Sequence, residues 1–131
     1  MIKIAITGKI GSGKSTVSKI IRELGFKVFD SDKEVQKALM KKDLISQIRK
    51  EFKSKIPGLI KRNTIDKAKL GEFVFSNPNE LRKLERIVHP KVWVSKEKFF
   101  EKNCNELAVF LDIPLLFEKK LQSQFDFIIL T

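Results

Sequence analysis

The octapeptide GKIGSGKS at residues 8–15 follows an apolar hexapeptide, IKIAIT, and runs into KSTVSKIIREL. Closely spaced glycines ahead of a Lys-Ser pair constrain this chain more than anything else in it. Glycine admits backbone conformations closed to other residues and lets N–H groups come close to an anion. Gly8, Gly13, Lys14 and Ser15 satisfy G-x-x-x-x-G-K-[ST], a loop that cradles nucleotide phosphates when a strand precedes it and a helix follows. A helix opening here aims its unpaired N–H groups and the positive end of its dipole at the phosphates. Lys14 reaches the β- and γ-oxygens, and the Ser15 hydroxyl is placed to hold Mg²⁺. An ordinary glycine-rich turn does not account for this placement between strand and amphipathic helix.

The surrounding pattern predicts a first strand over Ile2–Thr7 and a helix over residues 14–24. Val17, Ile20, Ile21 and Leu24 form its single apolar stripe, and Gly25 is its stop. FKVFD reads as a second strand ending at Asp30. Residues 32–103 are charge-rich and mostly helical. Within them NPNE predicts a helix start, with Asn77 as N-cap, Pro78 at the first helical position and Glu80 completing a capping box. Leu81, Leu84, Ile87 and Val88 mark its buried face, and His89-Pro90 is expected to break it, because the residue before proline is biased away from helix. LAVFLDIP (107–114) and FDFIIL (125–130) are continuous apolar runs that suit strands buried on both faces. This order predicts an α/β fold with a parallel sheet interrupted by a helical insertion.

Composition narrows the class of protein. A chain of 131 residues, 42% hydrophobic and 33% charged, suits one soluble globular domain with a real core. No apolar run nears the ~20 residues that span a membrane, and the chain enters its first strand without a leader-like segment. Cys104 stands alone, without disulfide framework or metal-ligand spacing, so a cytoplasmic setting is expected. The net charge of +11 comes from lysines and arginines spread along the chain, and its aromatics are 11 Phe and one Trp (Trp93) with no Tyr. That distribution suits a solvated basic surface with a bias toward anionic substrates, and nucleic acid is not an expected partner.

Two further acids stand where chemistry is done. In an open parallel sheet the ligand lies beyond the carboxyl ends of the strands. FDSD delivers Asp30 and Asp32 to that rim. A carboxylate there either takes a proton from an attacking hydroxyl, the role open to Asp32, or caps the helix that follows. Asp112, ending VFLD, either organises Mg²⁺ or caps the turn at PLLFE.

TGKIGSGKSTV, LGFKVFDSD, EFVFSNPNELRKLERIVHPKV and DIPLLFE, in that order, resemble the dephospho-CoA kinases. The loop is generic; the NP…HP stretch followed by PLLFE is specific, and the likeness covers essentially the whole chain. It implies a three-layer P-loop NTPase fold that transfers the γ-phosphate of ATP to the ribose 3′-hydroxyl of dephospho-coenzyme A. Gly8, Gly11, Ser12, Gly13, Lys14, Ser15 and Thr16 would bind ATP. Asp32, with Lys14, would be catalytic, Asp32 as base on the ribose hydroxyl. Mg²⁺ would be held at Ser15 and Asp112. The resemblance implies a nucleotide-binding core over residues 1–32 and 104–131, and a helical CoA-binding insertion over 33–103. His89, Pro90, Leu115 and Glu118 fall in family-typical motifs on the substrate side.

The chain also departs from that family. Gln36 stands where an arginine is frequent, and Asp66-Lys67 replaces an Asp-Arg pair, losing a bidentate fork while keeping the charge. The sequence stops at IILT, where family members continue into an arginine-bearing lid, so a lidless chain is expected. Cationic clamps of that kind are worth about 10³–10⁵ in rate, and a catalytically weak nucleotide- or CoA-binding fragment is the alternative expectation. A terminal apolar strand also exposes a sheet edge, from which self-association is expected. FDSD is equally typical of shikimate kinases, but their later FR pair and glycine triplet are missing.

Overall fold

A computed structural model describes residues 1–9, 11–114 and 121–131. It divides into two compact units, one of Met1–Lys33 with Ser95–Thr131, the other Glu34–Val94.

The first unit is built on a sheet in the order β2-β5-β1-β6, with β1 at Ile2–Thr7, β2 at Val28–Asp30, β5 at Ala108–Asp112 and β6 at Phe127–Leu130. All three pairings are parallel. β1 and β5 are central, which is why both read as apolar runs: Ala5, Ile6, Val109 and Leu111 are fully buried. FDFIIL does not behave the same way. Its strand lies at the edge, so Phe127 and Leu130 stay exposed and only Ile128 and Ile129 are half-buried. A continuous apolar run cannot by itself distinguish a central strand from an edge strand.

Helix α1 (Lys14–Glu23) leaves the first strand through the glycine-rich loop and ends at Leu24, with Gly25 at φ 94°. Its inward face is not the expected stripe. Ser18 and Ile21 are buried, whereas Ile20 and Leu24 are 49% and 69% exposed. Lys14, Val17, Ser18 and Ile21 form the stripe at offsets 0, 3, 4 and 7, with two polar side chains in it. Their partner lies in the sheet, and it turns the helix away from its most hydrophobic face.

The second unit holds α3 (Lys42–Phe52), a hairpin of β3 (Ile60–Lys61) and β4 (Thr64–Ile65), and α4 (Lys67–Phe75). α2 (Ser31–Ala38) and α5 (Pro78–Lys102) each run across the boundary between the units. The core of this unit gathers Leu44, Ile48 and Phe52, spaced four apart on α3, with Leu59, Ile65, Leu70, Val74 and Val88. The hairpin interrupts a stretch whose sequence reads as mostly helical. Its turn residues, Arg62 and Asn63, both have positive φ (50° and 61°), the conformation that matches the twist of a two-residue hairpin loop.

His89-Pro90 does not end a helix: α5 continues through Pro90 to Lys102. Leu84, Ile87 and Val88 before the proline and Val92 after it all pack on the same core, and that burial outweighs the lost N–H and the ring clash, about 3 kcal/mol. Leu81, counted with that face, is 37% exposed. The capping box at NPNE does not form either. Asn77 Nδ2 donates to the Phe73 carbonyl at 2.6 Å, closing the end of α4, and Glu80 accepts from Lys55 Nζ at 3.0 and 3.1 Å. An ammonium partner is a stronger draw on a carboxylate than a backbone N–H.

Candidate active site

β1 delivers the glycine-rich loop to the carboxyl edge of the sheet, at the point where its neighbours β5 and β6 lie on opposite sides. In that loop Gly11 and Gly13 have φ of 80° and 94°, values that a side chain would strain. Gly13 is also the N-cap position of α1, and among the described residues no side chain caps this helix end. Its first-turn N–H groups, at Lys14, Ser15 and Thr16, are the ones an α-helix cannot satisfy internally. No acidic residue stands in that first turn, so the positive end of the helix is left for an outside anion.

Lys14 Nζ lies 2.8 Å from Asp112 Oδ1 in an ion pair that is 16% exposed on the lysine side and 10% on the aspartate. The other carboxylate oxygen, Oδ2, accepts from Ser18 Oγ at 3.2 Å. Both contacts come from α1, because Lys14 and Ser18 are one turn apart on its inward face. Register brings the group together from below: Asp112 pairs with Ile6 of β1 and with Asp30 of β2. Asp112, expected either to organise a metal or to cap a turn, is held by the loop lysine. Ser18 was not foreseen, although its position four residues after Lys14 is the signal that would have found it.

The acids after β2 separate into two roles. Asp30 Oδ1 accepts from the Lys33 N–H at 3.1 Å, so Asp30 caps α2. Asp32 is relieved of that task. It is the second residue of α2, exposed, two positions beyond the row that holds Asp112.

Ser15 and Thr16 are exposed at the start of α1. Mg²⁺ keeps several waters and takes few protein ligands beside substrate phosphates. A single hydroxyl at Ser15 fits that habit. Among the described residues no group of three or more His, Cys, Asp or Glu is placed to form an all-protein cage. His89 and Pro90 lie exposed on α5 in the second unit, while Leu115 and Glu118 fall outside the described residues. Asp66 caps α4 by accepting from the Lys69 N–H at 3.1 Å, and Lys67, which stands where the family has arginine, is the exposed first residue of that helix.

The dephospho-CoA kinase family profile matches residues 2–131. A dephospho-CoA kinase of Fusobacterium nucleatum is 46% identical over 115 residues, covering 88% of this chain and 58% of that protein. Among solved structures, a Thermus thermophilus protein superposes with a TM-score of 0.79 at 36% identity, covering 98% of this chain and 64% of that one. A dephospho-CoA kinase from Campylobacter jejuni gives 0.71 at 33% identity, covering 88% and 58%. The chain thus spans less than two thirds of the length of each of these relatives. With the family profile matched from Ile2 to Thr131 and the fold shared with solved relatives, the chain belongs to the dephospho-CoA kinase family.

Proposed function

We propose that the chain transfers the γ-phosphoryl group of ATP to the ribose 3′-hydroxyl of dephospho-coenzyme A, giving coenzyme A and ADP. The observation that carries this is the Lys14–Asp112 pair: an ammonium held at the carboxyl ends of β1 and β5, beside a helix N-terminus with no side-chain cap. Phosphoryl transfer asks a protein mainly for positioning and for charge stabilisation. The first-turn N–H groups at Lys14, Ser15 and Thr16, with the turns at Gly11 and Gly13, receive the phosphates. Gly8 and Ser12 shape that loop. Lys14 exchanges its contact with Asp112 for the β- and γ-oxygens, or shares it.

Asp32 acts as base. As the 3′-oxygen forms its bond to the γ-phosphorus and the β–γ bridging bond breaks, the hydroxyl proton passes to the Asp32 carboxylate and the electron pair leaves with ADP. Ser15 and Asp112 would hold Mg²⁺ with the nucleotide, and the ion would neutralise phosphate charge there. Residues 1–32 and 104–131 form the nucleotide-binding core, and the insertion 33–103 takes up dephospho-coenzyme A, with His89, Pro90, Leu115 and Glu118 on the acceptor side. Among the described residues no helix is long and apolar enough to cross a membrane. The free Cys104 suits a reducing cytoplasm. β6, paired on one side only among the described residues and exposing Phe127 and Leu130, is the proposed edge for self-association.

The test is ADP release by the purified chain with ATP and Mg²⁺, in the presence of dephospho-coenzyme A, of shikimate, or of no acceptor. Turnover dependent on dephospho-coenzyme A, lost in Asp32→Asn with ATP binding kept and lost in Lys14→Ala with binding weakened, is the expected result. ATP binding without turnover on any acceptor would reduce the proposal to nucleotide binding alone.

A further inference from the structure

The phosphate loop is fastened to the sheet through hydroxyl groups that the proposed reaction does not use. Thr131 follows β6, and its backbone N–H donates to the Thr7 carbonyl at 2.9 Å, extending the β1–β6 ladder by one residue. Its side-chain Oγ1 lies 3.2 Å from the same carbonyl and 2.7 Å from Ser12 Oγ. A hydroxyl has one proton to give, and a carbonyl has none. Thr131 therefore donates to Thr7, and the contact with Ser12 is one in which Ser12 donates to Thr131. Donation runs in one direction, from Ser12 through Thr131 to the end of β1.

Two further observations converge on this pair. The Ser12 N–H donates to the Lys9 carbonyl at 3.0 Å, so both donors of Ser12 are committed inside the protein. Ser12 thus acts on the fold of the loop and has no proton to offer a phosphate oxygen. Gly8, meanwhile, has no positive φ to explain it. A Cβ at Gly8 would come within 2.0 Å of Thr131 Oγ1 and 2.6 Å of Ser12 Oγ. Gly8 is the space in which the two hydroxyls meet, whereas Gly11 and Gly13 are there for their backbone angles.

We propose that Thr131 is a positioning residue of the phosphate loop, acting through Ser12, and this rests on the reading of that loop as the ATP site. With Ser12 tied to the sheet, the turn at Gly11 and Gly13 is set before the nucleotide arrives, and binding does not have to order it. Without the Thr131 hydroxyl the loop loses its anchor to β6 while β6 keeps its backbone pairing.

Calorimetric titration of the 131-residue chain with ATP and Mg²⁺ tests this, using wild type, Thr131→Val, Thr131→Ser, Ser12→Ala and the double variant. The loss of one hydrogen bond predicts about fivefold weaker ATP binding for Thr131→Val and for Ser12→Ala. The double variant is no weaker than either single one, because both remove the same link. Thr131→Ser, which keeps the hydroxyl, recovers binding to within about twofold. Additive losses, or Thr131→Val binding ATP as wild type does, overturn the proposal and leave the loop as the ATP site. A wild-type chain that binds no ATP overturns both. If Thr131→Val fails to fold, Thr131→Ser and Ser12→Ala decide: a serine variant as weak as Ser12→Ala sinks the idea.

Discussion

Asp112 takes Lys14 on one carboxylate oxygen and Ser18 on the other, so a strand end grips two successive turns of one helix. The pair is shielded enough that leaving one partner alone is costly. Asp112→Asn keeps an acceptor for one of the two donors and removes the opposing charge. It is expected to destabilise the nucleotide-free chain by about 1–3 kcal/mol in urea unfolding. Measured without Mg²⁺, ATP affinity should not fall, because Lys14 loses a competitor for the phosphates. An unchanged urea midpoint would show that the contact contributes nothing to the fold.

Pro90 sits inside α5, exposed, with helix on both sides. Its ring removes the hydrogen bond to the carbonyl four residues earlier, at Arg86. Pro90→Ala restores that bond and is expected to raise stability by about 1–3 kcal/mol. A drop in the unfolding midpoint would mean that the proline ring itself supports the packing of Leu84, Ile87, Val88 and Val92.

Lys55 and Glu80 should make the stability of the second unit depend on pH at both ends. Lys55, with Lys83, holds the Glu80 carboxyl below its ordinary range, and Glu80 in turn raises the Lys55 ammonium. The lowered Glu80 contributes stability above the ordinary carboxylate range, and this is lost as pH falls through its folded-state value. The raised Lys55 contributes below the ordinary lysine range, and this is lost as pH rises through its folded-state value. Glu80→Gln should therefore flatten both limbs of the melting temperature against pH. Part of the acid limb will persist, because Lys91 lowers Asp43 in the same sense. Identical profiles for wild type and variant would refute the clamp.

β6 offers a prediction about assembly. Phe127 and Leu130 are 63% and 68% exposed on a strand that pairs only with β1 among the described residues. Sedimentation of the wild-type chain should show association that grows with concentration. Phe127→Lys, which places a charge on the edge, should shift the population to monomer. A wild-type monomer at every concentration would remove the edge as a docking surface.

Local chemistry determined much of this protein directly. The glycine-rich loop between strand and helix, the parallel α/β class and the stop at Gly25 follow from backbone angles, periodicity and strand hydrophobicity, and all are present. What failed locally did so for tertiary reasons. The α1 stripe rotated because Lys14 and Ser18, invisible to a count of apolar residues, turn inward to a carboxylate about a hundred residues away in sequence. The capping box at NPNE lost Glu80 to Lys55, and α5 ran through Pro90 because a shared core lay on both sides of it.

The site divides along the same line. Residue types and spacing in residues 8–15 suffice to specify a glycine-rich turn opening into a helix, since its angles and donors are local properties of the backbone. Which acid meets Lys14 and why Gly8 carries no side chain were decided by register between strands distant in sequence. Asp30 and Asp112 share a row only after β2 and β5 pair, and Thr131 reaches Ser12 only after β6 aligns with β1. A one-dimensional pattern carries no register between strands, and here register places the charges and hydroxyls.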